Sequence, residues 1–294
     1  MDVVVTSVLL GFLGLFMGSF AGASVWRLRA RQLRLDEVAG DKPGKADKKA
    51  VSHLKQQSLL KDRSVCLHCG HTLAWYDLMP LVSWLELGGT CRYCGKQIGK
   101  FEPIIEVIMA IIFVVSYLFW PVSLGDPYAI AHFMIWLVAC VGLVTLAVYD
   151  FKWFLLPNPV VFSLIGLGFI NAFLILLQDH FQLTDLLSIV YACGFLSGLY
   201  YLIYVISRHR WVGFGDVKLG LALALLLGDW QKAALALFLA NAIGTLIFMP
   251  LIVSGKLERQ SRIPFGPLLI SGWFLGGLFG PQILGWYLKI VLGV

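Results

Sequence analysis

Eight apolar runs separated by short polar connectors constrain this chain more than any other feature. They cover residues 3–26, 103–120, 129–149, 157–177, 185–207, 217–228, 233–253 and 265–280. A helix crosses the roughly 30 Å hydrocarbon core of a bilayer in about 20 residues. In lipid every backbone polar group must find its partner inside the segment, which leaves helices or a closed barrel. Runs of this length predict an all-α polytopic membrane protein with about eight transmembrane helices. Of 294 residues 59% are hydrophobic and 14% charged, against roughly 45–50% and about 25% in soluble domains. That composition excludes a soluble enzyme and a disordered chain.

The net charge of +6 raises the question of a nucleic-acid partner, which the placement of the charges answers. Of 23 Lys and Arg, 14 fall between Arg27 and Lys100. Lys152, then Arg208, Arg210 and Lys218, then Lys256, Arg259 and Arg262 occupy connectors on the same side, leaving Lys232 and Lys289 on the other. The positive-inside rule places residues 28–102 in the cytoplasm and the N-terminus outside. The expected partner of these cations is the bilayer, and no nucleic acid is expected. The first run has no basic segment before it and its cations follow, which reads as a retained signal-anchor.

Residues 28–102 form the one sizeable polar insert. Its basic stretch, 29–63, reads as a surface helix or loop. Beyond it stand Cys66-Leu67-His68-Cys69-Gly70 and Cys91-Arg92-Tyr93-Cys94-Gly95, two CxxC knuckles with 21 residues between them. Each brings two thiolates to one metal, and the glycine after the second cysteine permits the tight turn. Cys66, Cys69, Cys91 and Cys94 would close a tetrahedral structural zinc site in a small zinc-ribbon-like domain. Two disulfides are the competing reading, disfavoured in a reducing cytoplasm. His68 and His71 are then surplus, and Cys140 and Cys193, inside apolar runs, read as small hydrophobes.

A carboxylate at a membrane boundary is costly and marks a functional candidate. Asp150 closes the third run, and Asp216 lies in Gly213-Phe214-Gly215-Asp216-Val217-Lys218 before the sixth, both on the cytoplasmic side. Helix over the 12 residues 217–228 covers about 18 Å of a roughly 30 Å core, so Asp216 is expected in a recess lined by protein. Gly213 and Gly215 would let an extended peptide approach it. Lys218 either orients that peptide or anchors the helix at the interface. Two carboxyls in one pocket do not both ionise readily; one keeps a proton while the other acts as base, which suits peptide hydrolysis. The residues alone leave open a helix cap at Asp216, an interfacial acid at Asp150, or a proton relay in a transporter. Internal symmetry between the halves would favour the transporter, and none is apparent. Glu106, four residues into the second run, is a third acid, expected to pack toward protein and find a partner.

In order along the chain, these features resemble the type IV prepilin peptidases, the bifunctional leader peptidases and N-methyltransferases of pilus and type II secretion systems. The resemblance rests on Gly18-Ser19-Phe20 with Arg27, the paired knuckles with Pro80 and Ser83-Trp84-Leu85 between them, and Pro103 with Glu106. It continues through Asp150 with Leu156-Pro157, the GxGD segment at 213–216 and Ile263-Pro264-Phe265-Gly266-Pro267. It implies a GxGD-type intramembrane aspartic peptidase with Asp150 and Asp216 as the catalytic pair. The substrate would be a type IV pilin or pseudopilin precursor, cut after a glycine at the cytoplasmic face. Members with the cysteine domain also methylate the new α-amine from S-adenosylmethionine. The implied organisation is a first transmembrane helix (1–27), a cytoplasmic cysteine domain (28–102) and a membrane-embedded peptidase domain (103–294). Cleavage alone, with the cysteine domain for docking, is the alternative. Gly22, Leu78-Met79 and Asn158 depart from the family pattern without touching either aspartate. No glycine-rich nucleotide motif follows a strand, so the S-adenosylmethionine site is not assigned to residues.

Overall fold

The computed structural model describes residues 2–40, 44, 48, 51–54, 63–257 and 263–292. Much of the basic stretch 29–63, together with Arg259 and Arg262, lies outside the described residues. Among the described residues seven helices are long and apolar enough to cross a membrane, and a shorter one accounts for the remaining apolar run. In chain order the helices are α1 (Val3–Val38), α2 (Val82–Glu86), α3 (Phe101–Leu118), α4 (Pro127–Trp153), α5 (Asn158–Gln178), α6 (Leu183–Ile206), α7 (Phe214–Leu227), α8 (Trp230–Val253) and α9 (Gly266–Leu292). They divide into two compact units, Met1–Leu118 and Phe119–Val294.

In the first unit α1 packs along α3. Gly14, Gly18 and Gly22 recur every four residues on one face of α1, the small-residue spacing that lets helices in lipid approach closely. A Cβ on Gly14 would stand 2.6 Å from the Ala110 Cα, and one on Gly18 would stand 2.5 Å from the Glu106 Cα. The helix does not stop where its apolar run ends. Residues 28–38 are rich in Leu and Arg, both good helix formers, and carry α1 onward to Val38. There Ala30 and Leu33 pack with Val51.

α7 lies at the heart of the second unit. It is apolar all round and so suits burial on every side; Leu219, Ala222, Leu223 and Ala224 have no exposed surface. Its 14 residues span about 21 Å at 1.5 Å per residue. Gly228, at φ +64°, ends it. The Asn171 side-chain amide on α5 donates to the carbonyls of Leu225 (3.2 Å) and Leu226 (3.1 Å), which a helix end otherwise leaves unpaired. The Asn171 oxygen in turn pairs with the His132 ring at 2.8 Å. α6 contains a π-turn, Gly194–Gly198, and Ser197 Oγ within it donates to the Val217 carbonyl at 2.9 Å.

Candidate active site

Asp150 sits in the last turn of α4, which ends at Phe154 in a left-handed conformation with its N–H on the Asp150 carbonyl. The Asp150 side chain is only 6% exposed. Its Oδ2 accepts a 3.0 Å hydrogen bond from the backbone N–H of Gly266, the first residue of α9. The first amides of a helix have no partner within it, so α9 offers a ready donor.

Asp216 occupies the first turn of α7, half-buried, with its own N–H on the Gly213 carbonyl at 3.1 Å. Leu156 ties these segments together. A Cβ on Gly215 would lie 3.2 Å from its Cδ1, and one on Gly266 would lie 3.4 Å from its Cδ2. Asp150 is near enough for its charge to act on Asp216. The structure therefore brings the two aspartates together beside Gly213, Gly215 and Gly266, which add no side chains of their own. Two carboxyls so placed can hold and pass a proton, as acid–base hydrolysis requires.

Lys218 lies two residues further into α7. Its ammonium hydrogen-bonds the Asn158 side-chain oxygen and stands 5.6 Å and 5.4 Å from the ring centroids of Phe162 and Phe214. Tyr200, a neighbour of Asp216, and its partner Asn241 escaped the sequence reading. Tyr200, 4% exposed, lies near Asp216, hydrogen-bonds the Asn241 side chain, and meets the ring of Phe265 edge-on at 5.4 Å. Asn241 is polar inside an otherwise apolar run, and that was the available signal. Tyr200 gave none, because tyrosine is ordinary in a membrane helix.

In the first unit the two knuckles are near copies. Cys66 N–H donates to His71 O and Cys91 N–H to Lys96 O, while isolated bridges pair Val65 with Thr72 and Thr90 with Gln97. Gly70 and Gly95 both adopt positive φ, +71° and +67°. The sulfurs of Cys66, Cys69, Cys91 and Cys94 all lie within 4.8 Å of one another, a donor set able to hold a metal ion. Burial pushes the Cys66 thiol up to about 12, backbone and neighbouring thiol groups adding smaller effects. Asp77 latches the knuckles from one side. Its side chain, 4% exposed, takes Arg92 Nε at 3.0 Å, Tyr93 Oη at 2.9 Å and Ala74 N–H at 3.1 Å. Burial alone would raise its carboxyl, but these donors outweigh it and hold it below the usual carboxylate range.

Glu106, also buried, accepts Leu81 N–H at 2.9 Å and pairs with Ser19, so this acid does face protein and find partners. Arg92 and Lys218 thus lie on side-chain oxygens, and the acids at the helix ends lie on backbone amides.

The fold and sites define a multi-pass membrane protein with a carboxylate pair in one unit and a tetracysteine module in the other. Residues 12–120 match the bacterial peptidase A24 N-terminal domain, and residues 137–249 match the type IV leader peptidase family. A prepilin leader peptidase/N-methyltransferase of Pseudomonas aeruginosa is 30% identical, the match covering 94% of this chain and 91% of that one. Its namesake in Bacillus subtilis is 29% identical over 80% and 89%. A type 4 prepilin-like proteins leader peptide-processing enzyme of Escherichia coli is 32% identical over 88% of each. No solved structure matches the chain significantly. The chain belongs to the type IV leader peptidase family.

Proposed function

We propose that this protein removes the leader from type IV pilin or pseudopilin precursors and methylates the amine so exposed, a reading supported by relatives named prepilin leader peptidase/N-methyltransferase and type 4 prepilin-like proteins leader peptide-processing enzyme. The observation that carries the peptidase reading is the convergence of Asp150 and Asp216, with one carboxylate oxygen fixed by Gly266 N–H. The ionised carboxyl takes a proton from water, and the hydroxide equivalent adds to the scissile carbonyl carbon. The protonated carboxyl donates to the leaving nitrogen, so the peptide C–N bond breaks and the pair ends with its one proton restored. Gly213 and Gly215 leave room for an extended substrate backbone. The basic connectors support an orientation with the N-terminus outside and the pair at the cytoplasmic face of a bacterial inner membrane, where a leader would be cut after glycine.

For the second step, S-adenosylmethionine supplies the methyl group. The new α-amine must first lose a proton, and the donor leaves as a neutral thioether. The four cysteines fit zinc. Tetrahedral Zn–S bonds of about 2.3 Å put sulfurs about 3.8 Å apart, inside the 4.8 Å spread of the cluster. Such a site has no open position, so zinc would stabilise the module without taking part in chemistry. The peptidase reading is tested with Asp150→Asn and Asp216→Asn on a prepilin. Each should abolish leader removal, and cleavage by either at near-parental rate would refute the pair. Transfer of labelled methyl to a cleaved pilin separates the bifunctional protein from one that only cleaves.

A further inference from the structure

The methyl donor has no glycine-rich loop to bind, yet the first unit holds a cavity of about 1010 Å³ between α1, the start of α3 and the cysteine module. Ligand pockets run to roughly 300–1,000 Å³, so this one has room for a nucleoside-sized donor together with the end of an acceptor peptide. Its α3 wall carries Glu102 and Glu106, one turn apart and therefore on one face. The Glu102 carboxylate accepts Trp26 Nε1–H at 3.1 Å, and Glu106 accepts Leu81 N–H. These donors are neutral, and the charge acting on Glu106 is that of Glu102. Leu81 is held at φ +57°, a strained conformation for a bulky residue and of the kind found at ligand clamps. This wall thus presents two carboxylates to whatever enters, while Arg27, Arg92 and Lys96 also line the cavity, Arg92 being held by Asp77 and Glu86.

Trp84 also lines the cavity. Trp84 is fixed by its Nε1–H on the Gly99 carbonyl at 3.3 Å, and its ring lies so close to Gly89 that a Cβ there would stand 3.0 Å away. A flat ring held in this way suits a purine, and aromatic faces also attract a cation.

We propose that this cavity binds S-adenosylmethionine, with the adenine against Trp84 and the positively charged sulfonium and amino groups toward Glu102 and Glu106. The assignment rests on the N-methyltransferase reading above. Ala23 lines the cavity from α1.

The test is equilibrium binding to the full-length protein in detergent, with labelled S-adenosylmethionine and, in competition, S-adenosylhomocysteine, which lacks the charge on sulfur. Glu102→Gln keeps an oxygen for the Trp26 N–H and removes only charge. It should raise Kd for S-adenosylmethionine about tenfold and that for the neutral thioether less than about threefold. Ala23→Phe fills the cavity and should weaken both ligands by more than about tenfold. Thermal melting by circular dichroism verifies that each variant folds. Parental affinity in both variants would overturn the site while leaving methyl transfer standing. Equal losses of the two ligands in Glu102→Gln would overturn the placement of charge. A parent protein that neither binds the donor nor labels a cleaved pilin would defeat the methyltransferase reading, and this site with it.

Discussion

Replacing Gly266 by alanine isolates the geometry of the aspartate pair from its chemistry. The added Cβ would lie 2.8 Å from Asp150 Oδ2, 3.4 Å from its Cγ and 3.4 Å from Leu156 Cδ2. Carbon and oxygen prefer about 3.5 Å, so the carboxylate must retreat by roughly half an ångström or more and lose the line of its 3.0 Å bond from Gly266 N–H. Hydrogen bonds to charged groups contribute about 1.5–3 kcal/mol. A misplacement of about 1 Å at a reacting centre costs on the order of 10²-fold, which is about 2.7 kcal/mol of barrier. The two routes agree, and kcat/KM for leader removal should fall about a hundredfold. Helix propensity acts the other way, since alanine exceeds glycine in a helix by about 0.5–1 kcal/mol, so α9 itself should not unfold. The assay is steady-state cleavage of a prepilin by the protein in detergent, paired with its thermal melting curve. Cleavage by Gly266→Ala within twofold of the parent would show that the Asp150–Gly266 contact does not position the pair.

Gly18→Leu drives a side chain into the Glu106 backbone, where even a Cβ has 2.5 Å; overpacking of this kind costs about 1–3 kcal/mol, and an unchanged melting temperature would argue against the α1–α3 seam. Asp77→Ala leaves Ala74 N–H and Tyr93 Oη without their acceptor and should cost about 1–3 kcal/mol, read as faster proteolysis between residues 63 and 100. Because the folded Asp77 carboxyl lies below its unfolded value of about 3.9, its contribution is complete above that pH and is lost as pH falls through the lower folded value. Protection of the module in the parent should therefore decline below about pH 4 more steeply than in Asp77→Asn; superimposable profiles would remove the latch. Metal analysis should find about one zinc per chain, and chelation at neutral pH should expose the module to protease, because binding free energy at such sites is folding free energy. A metal-free preparation as resistant as the parent would refute that expectation.

How much of this was legible beforehand varies from element to element. The apolar runs marked the spanning helices, because partition into lipid is a property of each segment alone. The glycines after Cys69 and Cys94 announced turns that do adopt positive φ. The sequence left residues 29–38 open between helix and loop, because the change from apolar to charged residues altered the solvent and not the backbone; α1 runs through them to Val38. The π-turn at Gly194–Gly198 was hidden too. The run 185–207 is apolar throughout, and the extra residue per turn shows only where Ser197 reaches Val217 on α7.

The sequence by itself determined that this is a membrane protein, where four thiols and two boundary acids stand along the chain, and the family to which they belong. Those are local matters of solvent, spacing and residue type. Only the tertiary structure decided that the Asp150 carboxylate rests on an amide 116 positions away, that Leu156 seats the Asp216 turn beside it, and that Glu102 and Glu106 line a cavity with Trp84. Such pairings depend on how closely helices approach and where short ones end. No periodicity along a single helix carries that information.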